Sequence, residues 1–414
     1  MRIAFIVSKF PALSQTFILN QITGLIDRGH RVDIYAVQSD NNPKIHPDVT
    51  QYNLLNHTYY FRELPSGTLR RYIEITGLII KYFYKKPRSL LKTWRLSRRR
   101  KGSILKILCA GSPFLDKYPY DIIHCHFGPN GILGILLKDL GVIKGKVVTT
   151  FHGYDMSSYI QKHGADIYKN LFLKGDLFLP VSERWENKLM ELGCSHQKII
   201  VHRMGIDTSK FCFSTHTPGK DGKVRLLTIA RLIEKKGVQY AVQAVAEALS
   251  KYPNIEYSIA GDGPLKITLE GLIERLNIGD NVKLLGWKQQ EEIVELLKNA
   301  DILIAPSIVG ENGDEEGIPV VLMEALAQGI PVLSTQHSGI PELVQNGESG
   351  FLVPERNADA LAGKLEILIK HPEMRFQMGR TGREYVERYY NIDKLNDKLS
   401  ELYQLLLNGT PGAL

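Results

Sequence analysis

The chain of 414 residues holds only four cysteines, Cys109, Cys125, Cys194 and Cys212, and no two of them stand in C-x-x-C spacing. That excludes a zinc knuckle and a dithiol redox pair, and the four read as free thiols of a reducing compartment. No run of 18 apolar residues occurs, so no segment reads as a transmembrane helix. The opening RIAFIV is too short for the apolar core of a signal peptide, and a cytoplasmic protein is expected. Neither G-x-x-x-x-G-K-[ST] nor a G-x-G-x-x-G after the first strand is present; VSKFPALSQTF stands there instead. Simple ATPase and dinucleotide oxidoreductase readings fall with them. His126 and His152 lie in separate turns with no Cys/His spacing between them, so no metal and no other cofactor is expected.

Acidic residues are missing from one long stretch. Between Ile75 and Leu115 there is no Asp or Glu, while residues 81–106 hold Lys81, Lys85, Lys86, Arg88, Lys92, Arg95, Arg98, Arg99, Arg100, Lys101 and Lys106. Tyr82, Phe83, Tyr84, Leu90, Leu91, Trp94 and Leu96 are interleaved with them. The pattern suits a helix lying on an anionic bilayer with its rings at headgroup level, which would make the protein peripheral on the inner face of the membrane. A solvated basic face is the plainer alternative. Nucleic acid is disfavoured, since no recognised nucleic-acid module accompanies the run.

What is present is alternation. Arg2 to Val7, Arg31 to Val37, DIIHCHF from 121, VVTTFHG from 147 and LFLPVSE from 177 are strand-like, with helical spacing over Phe17 to Asp27. Residues 206–223 are polar and turn-rich and read as a linker. Beyond them VRLLTIA, IEYSIAG, VKLLG, ILIAPS and IPVLST alternate with helical segments, and after Pro372 the pattern is helical to Asn408 with a break near Tyr389 and Tyr390. Two α/β domains with largely parallel sheets follow. At roughly 150 residues per domain the length agrees.

Three turns after strands, AGDGP with Gly261 and Gly263, LGW with Trp287, and EEGIP with Gly317 and Ile318, can share one crevice at the carboxyl ends of a sheet. Arg231 and Lys236 in ARLIEKKG could clamp two phosphates, one as a fork and one as a point charge; surface cations beside an ordinary turn are the alternative. Lys235 leaves the choice of lysine open. Glu316 and Glu324 bracket an apolar run, with Pro319 able to open the helix expected from Val320 to Gln328. Helix capping plus one exposed glutamate would explain the pair without a ligand.

Taken together, the E316-GIPVVLM-E324 pattern, ARLIEKKG, AGDGP, LGW, SGIPELVQNGESGFLV and FHGYD resemble the retaining glycosyltransferases of family 4, over essentially the whole chain. SKFPALSQTFILNQ is similar to the colanic acid and amylovoran type transferases, with Gln15 where Glu is usual. The resemblance implies a GT-B fold: an acceptor-binding Rossmann-like domain at 1–205, the linker 206–223, a donor-binding Rossmann-like domain at 224–388, and a terminal helix at 389–414 returning to the first domain. It implies metal-independent transfer of a hexosyl group, with retention, from a nucleotide sugar, UDP favoured over GDP. The acceptor would be a sugar hydroxyl of a polyprenyl-diphosphate-linked oligosaccharide in exopolysaccharide synthesis. Arg231 and Lys236 would bind the diphosphate, and Glu324 the ribose. Glu316 with the N–H groups of Gly317 and Ile318 would hold the donor sugar, with His152 near the reaction centre and Asp155 shaping the pocket. Gly261, Gly263 and Trp287 belong to the donor side; His126, Ser14 and Gln15 to the acceptor side. A nucleotide-sugar 2-epimerase of the same architecture and a non-catalytic sugar-nucleotide or lipid-binding subunit are the alternatives. Isomerisation without acceptor would mark the first, and binding without transfer the second.

Overall fold

The computed structural model describes residues 1–12, 15–40, 45–61, 68–99, 104–117, 119–214 and 221–409. The first half builds one six-stranded sheet from β1 (Arg2–Lys9), β2 (Arg31–Gln38), β3 (Thr58–Tyr60), β4 (Ile122–His126), β5 (Lys146–Phe151) and β6 (Leu177–Pro180). Its order is β3-β2-β1-β4-β5-β6, and every pair is parallel. The second half repeats the design with β7 (Val224–Ile229), β8 (Ile255–Ala260), β9 (Val282–Gly286), β10 (Ile302–Ala305), β11 (Val332–Thr335) and β12 (Gly350–Val353). Read from its other edge, the order β9-β8-β7-β10-β11-β12 is the same topology.

Both sheets are therefore doubly wound, with the chain reversing direction across the sheet between β1 and β4 and between β7 and β10. The crevice outside the strand ends at such a point is where ligands bind in this class of fold. Strands buried on both faces need apolar residues at successive positions. IIHCH of β4 is buried throughout, as are LFLP of β6 and VLST of β11.

The terminal helix Ile392–Leu407 packs on the first domain. Leu399, Leu402, Tyr403 and Leu406 complete the core formed by Ile3, Phe5, Ile22, Leu25 and Val148. Arg28, capping the C-terminus of the helix Thr16–Asp27, ties it down through Asp397 at 2.7 Å. The chain passes between domains twice, and the passages are stitched together: Ile206 donates to the Tyr390 carbonyl and accepts from the N–H of Ile392, both at 2.9 Å. Within the expected linker, residues 215–220 lie outside those described.

Two strands were not legible in the sequence pattern. Three residues of β3 give too short a run for periodicity, and β12 hides inside a turn-rich segment. The helix expected from Val320 to Gln328 has those bounds, with Pro319 as its cap at ψ 124° instead of within its first turn.

The basic region folds as helices Thr68–Lys85 and Pro87–Arg99. Tyr82 is not on the outer face: it is buried, and its hydroxyl donates to the Leu108 carbonyl at 3.0 Å. Lys81 and Lys85 pair with Asp116, at 2.6 and 3.2 Å. Phe83, Tyr84, Leu91 and Trp94 are exposed, joined by Tyr72, Ile73 and Ile80. Arg100 and Lys101 lie outside the described residues, as do the side chains of Arg95, Leu96, Arg98, Arg99 and Lys106. Among the described residues, no helix is long and apolar enough to cross a membrane.

Candidate active site

A cavity of about 640 Å³ lies between the domains, at the ends of β1, β4, β5 and β7 and the start of the helix Val320–Gln328. Ser8, Gln15, Phe17, Phe127, His152 and Tyr154 line it from the first domain. Ile229, Arg231, Lys235, Lys236 and residues 314–321 line it from the second. Both switch points thus open onto the same space.

Glu316 sits between two ammonium groups. Its Oε1 is 3.1 Å from Lys236 Nζ and 3.3 Å from Lys235 Nζ, an approach of charge to charge without aligned hydrogen bonds. Burial opposes its ionisation, but Lys236 and Lys235 outweigh that and hold the carboxyl down at about 2. Lys235 also pairs with Asp314 at 2.9 Å. Both lysines between which the sequence left the choice open thus line the cavity and approach Glu316. Arg231 is exposed to the cavity, and among the described residues its guanidinium has no partner. Gly317, Ile318, Val320 and Val321 follow in the wall, where the first turn of a helix carries N–H groups without intrahelical acceptors.

Glu324 stands one turn behind Val320, outside the cavity lining. Its carboxylate has no partner among the described residues, and burial alone pushes it up to about 7. Gly261, Gly263 and Trp287 do not line the cavity either. The two glycines do a different job: a Cβ on Gly261 would overlap the Ala230 carbonyl, and one on Gly263 would come within 2.6 Å of the Leu232 carbonyl. They let the AGDGP turn pack against the backbone that presents Arg231. Trp287 is exposed at the end of β9, an edge strand.

In the first domain, His152 faces the cavity among the rings of Phe17 and Phe127, with centroids at 4.9 and 4.4 Å. Burial holds its imidazole down at about 3, so it is neutral. Phe127 carries φ 72°, a region a bulky side chain rarely adopts. It is kept there by its N–H to the Thr150 carbonyl at 2.8 Å and by its contact with His152. Strain of this kind collects at functional sites.

The structure moves two expected pocket residues behind the wall. Asp155 is fully buried and does not reach the cavity; its carboxylate accepts from the N–H groups of His152 and Gly153 at 3.0 Å and of Gly128 at 2.9 Å. Burial pushes this carboxyl up against the pull of those donors. It fixes the loop that carries His152. His126 is likewise fully buried, with its Nδ1 3.0 Å from His152 Nε2, so it meets His152 and no acceptor. Gln15 does line the cavity, and Ser14 lies outside the described residues.

Several contacts that set the cleft were not foreseen, although Glu315, Ser338 and Glu342 stand inside the EEGIP and SGIPELVQNGESGFLV motifs. Arg184 reaches across to Glu315 at 2.7 Å, and Glu315 N–H donates to Ser157 Oγ at 3.1 Å. Glu342 caps the first turn of the helix Glu183–Glu191, accepting from Glu183 N–H at 3.0 Å and Arg184 N–H at 3.1 Å. His337 and Ser338 grip the backbone of Glu316. Among the described residues no group of three or more His, Cys, Asp and Glu is placed to hold a metal ion.

Residues 14–210 match the family described as Glycosyltransferase Family 4, and residues 215–385 that described as Glycosyl transferases group 1. A putative colanic acid biosynthesis glycosyltransferase, WcaL of Salmonella typhimurium, is 39% identical over 98% of this chain and 100% of its own. The amylovoran biosynthesis glycosyltransferase AmsK of Erwinia amylovora is 38% identical over the same shares, 98% and 100%. Among solved structures, Anabaena HepE in complex with UDP and glucose superposes with a TM-score of 0.72 at 18% identity, covering 98% of this chain and 99% of that one. A likeness at that identity establishes the GT-B fold. The full-length relatives go further: the chain belongs to glycosyltransferase family 4, in the group that contains the colanic acid and amylovoran biosynthesis glycosyltransferases.

Proposed function

We propose that the cleft transfers a hexosyl group, with retention of configuration, from a nucleoside-diphosphate sugar to a sugar hydroxyl of a lipid-linked oligosaccharide in exopolysaccharide synthesis. In this reading residues 1–205 hold the acceptor and residues 224–388 the donor. The observation that carries it is the set of three cations, Arg231, Lys235 and Lys236, beside Glu316 and the start of the helix Val320–Gln328. Charge of that sign, fixed in a cleft of restricted solvent, stabilises a departing diphosphate without a metal.

When a diphosphate enters, the lysines turn from Glu316 to phosphate oxygens, and the freed carboxylate accepts hydrogen bonds from hydroxyl groups of the donor sugar. In the resting site Glu316 is charged, because Lys236 and Lys235 hold its carboxyl well below the working range, and in the complex the sugar hydroxyls that donate to it take over that stabilisation. It therefore acts as an acceptor of hydrogen bonds. Neutral His152 orients the sugar from the opposite wall, and a donor phosphate oxygen takes the proton of the incoming hydroxyl on the same face. Glu324 takes the ribose hydroxyls after a shift that brings its unpartnered carboxylate into the donor space. UDP is favoured as the nucleotide, in keeping with the UDP bound in the HepE structure.

The exposed rings of Tyr72, Phe83, Tyr84 and Trp94 beside a basic run support a bilayer-bound acceptor delivered from an anionic membrane surface. A panel of UDP-, GDP- and ADP-sugars with membrane-extracted lipid-linked acceptors, read by mass spectrometry, tests the reading. It expects one donor to yield an acceptor enlarged by a single hexose. Isomerised donor without any acceptor would replace it with the epimerase.

A further inference from the structure

Glu316 is fixed at its backbone as well as at its carboxylate, and the residues that fix it lie in the loops after β11 and β12. His337 is fully buried. Its Nε2 accepts from the N–H of Glu316 at 3.1 Å. A ring nitrogen that accepts carries no proton, so the hydrogen of the neutral ring sits on Nδ1. That Nδ1–H donates to Glu355 Oε1 at 2.6 Å. The second oxygen of Glu355 accepts from Val309 N–H at 2.9 Å, which anchors the carboxylate to the loop after β10. On the other side of the residue, Ser338 Oγ donates to the Glu316 carbonyl at 2.6 Å.

The arrangement is held under strain. Ser338 has φ 49°, in the left-handed region, and the turn it makes brings its hydroxyl to Glu316. Gly339 beside it has no room for a side chain: a Cβ would come within 2.8 Å of Ile318 Cγ1 and 3.1 Å of Ser182 Cβ. Residues 306–319 contain no helix or strand, so no ladder of backbone bonds fixes the direction in which Glu316 projects. The two bonds from 337 and 338 supply that direction.

We propose that His337 is a positioning residue for Glu316, with Glu355 fixing its tautomer. This rests on the reading in which Glu316 holds the donor sugar. His337 touches no substrate; it acts by setting the peptide plane from which the Glu316 carboxylate reaches the sugar. Misplacing such a group by a fraction of an ångström lowers turnover without touching the nucleotide.

The test compares His337→Leu, His337→Gln, Ser338→Ala and Glu316→Gln for kcat, with the donor and acceptor that the sugar-nucleotide panel selects, and for UDP affinity by calorimetry. His337→Leu is expected to lower kcat about 30-fold or more while UDP affinity stays within about twofold. His337→Gln, whose amide oxygen can occupy the place of Nε2, is expected to recover most of the loss, and Ser338→Ala to lose about fivefold in kcat. Nitrogen-15 spectra of the histidine-labelled parent are expected to show His337 with its hydrogen on Nδ1, and Glu355→Gln to lose that single tautomer. The spectra decide the matter even where His337→Leu fails to fold. A hydrogen on Nε2, or parental kcat in His337→Leu beside a depressed Glu316→Gln, overturns the positioning role. An equal fall of kcat and UDP affinity with no recovery in His337→Gln overturns it too, since that is general loss of structure. Parental kcat in Glu316→Gln would instead overturn the reading on which the proposal rests.

Discussion

Gly317 and His152 meet backbone to backbone across the cleft: a Cβ on Gly317 would overlap the His152 carbonyl oxygen. Gly153 returns the contact, with its own Cβ position 2.9 Å from the Glu315 carbonyl oxygen and from Gly317 N. The two domains touch where the groups assigned to the donor sugar lie, and any side chain there must push them apart. Gly317→Ala is expected to lower kcat by about 10- to 100-fold with UDP affinity kept, since Arg231 and the lysines stay in place. Steady-state kinetics beside calorimetric UDP titration check the split.

The Glu316 carboxyl has a pH signature. Its folded value, about 2, lies below the unfolded value near 4.3, so the stability it contributes is full above 4.3 and lost as pH falls through about 2. With both lysines replaced by alanine only burial remains, the carboxyl moves up, and the sign reverses. Melting temperature of Lys235→Ala/Lys236→Ala relative to the parent should therefore be lowest at neutral pH and recover toward pH 4. Glu316→Gln in the double variant should abolish that recovery.

Glu324 behaves in the opposite way to Glu316. Its folded value, pushed by burial to about 7, lies above the unfolded one. Stability is intact while the carboxyl is protonated in both states, below about 4.3, and is lost progressively as pH rises to 7, with the loss complete above it. Glu324→Gln is expected to melt higher than the parent at pH 8 and equal to it at pH 4, while binding UDP more weakly. A thermal series across pH with a UDP titration reads both.

Asp155 satisfies three backbone N–H groups from inside the domain. Removing a buried acceptor leaves each donor unpaired at about 1 kcal/mol or more, so Asp155→Ala should destabilise by roughly 3 kcal/mol or more. Chemical denaturation measures it. Asp155→Asn, which keeps one acceptor oxygen, should lose less.

The sequence carried the architecture well and the site unevenly, for physical reasons. Parallel strands buried on both faces announce themselves as apolar runs, and the alternation of VRLLTIA, IEYSIAG and ILIAPS with helices leaves few topologies. Arg231, the lysines, Glu316, Gly317 and His152 are local to strand-end turns, so a linear pattern finds them, and the fold brings them to one cavity. His126, Asp155, Gly261 and Gly263 come from equally suggestive motifs, yet they lie behind the wall. A motif shows that a residue is near the site but not which way its side chain faces. Glu342, Arg184, His337 and Glu355 are the reverse case. Each acts through a partner outside its own turn, from 18 residues away for His337 and Glu355 to 159 for the bond from Glu183 N–H to Glu342, and no local pattern encodes such a pair.

The exposed rings of the helices Thr68–Lys85 and Pro87–Arg99 give a prediction of their own. Replacing Phe83, Tyr84 and Trp94 by serine should reduce flotation with vesicles of phosphatidylglycerol and phosphatidylcholine. Vesicles of phosphatidylcholine alone should bind the parent weakly, because the lysines and arginines act only on an anionic surface. Equal flotation of parent and triple variant would remove the bilayer from the account.

The decisive measurement for transfer in this cleft is acceptor-dependent release of nucleoside diphosphate, followed by mass spectrometry in the parent and in Glu316→Gln, Arg231→Ala and Lys236→Ala. Release is expected in the parent only when acceptor is present, with the acceptor gaining one hexose, and a fall of about 100-fold or more in each variant. Activity of all three variants within about threefold of the parent would contradict it, because a lost contact to the transition state lowers the rate far more than that.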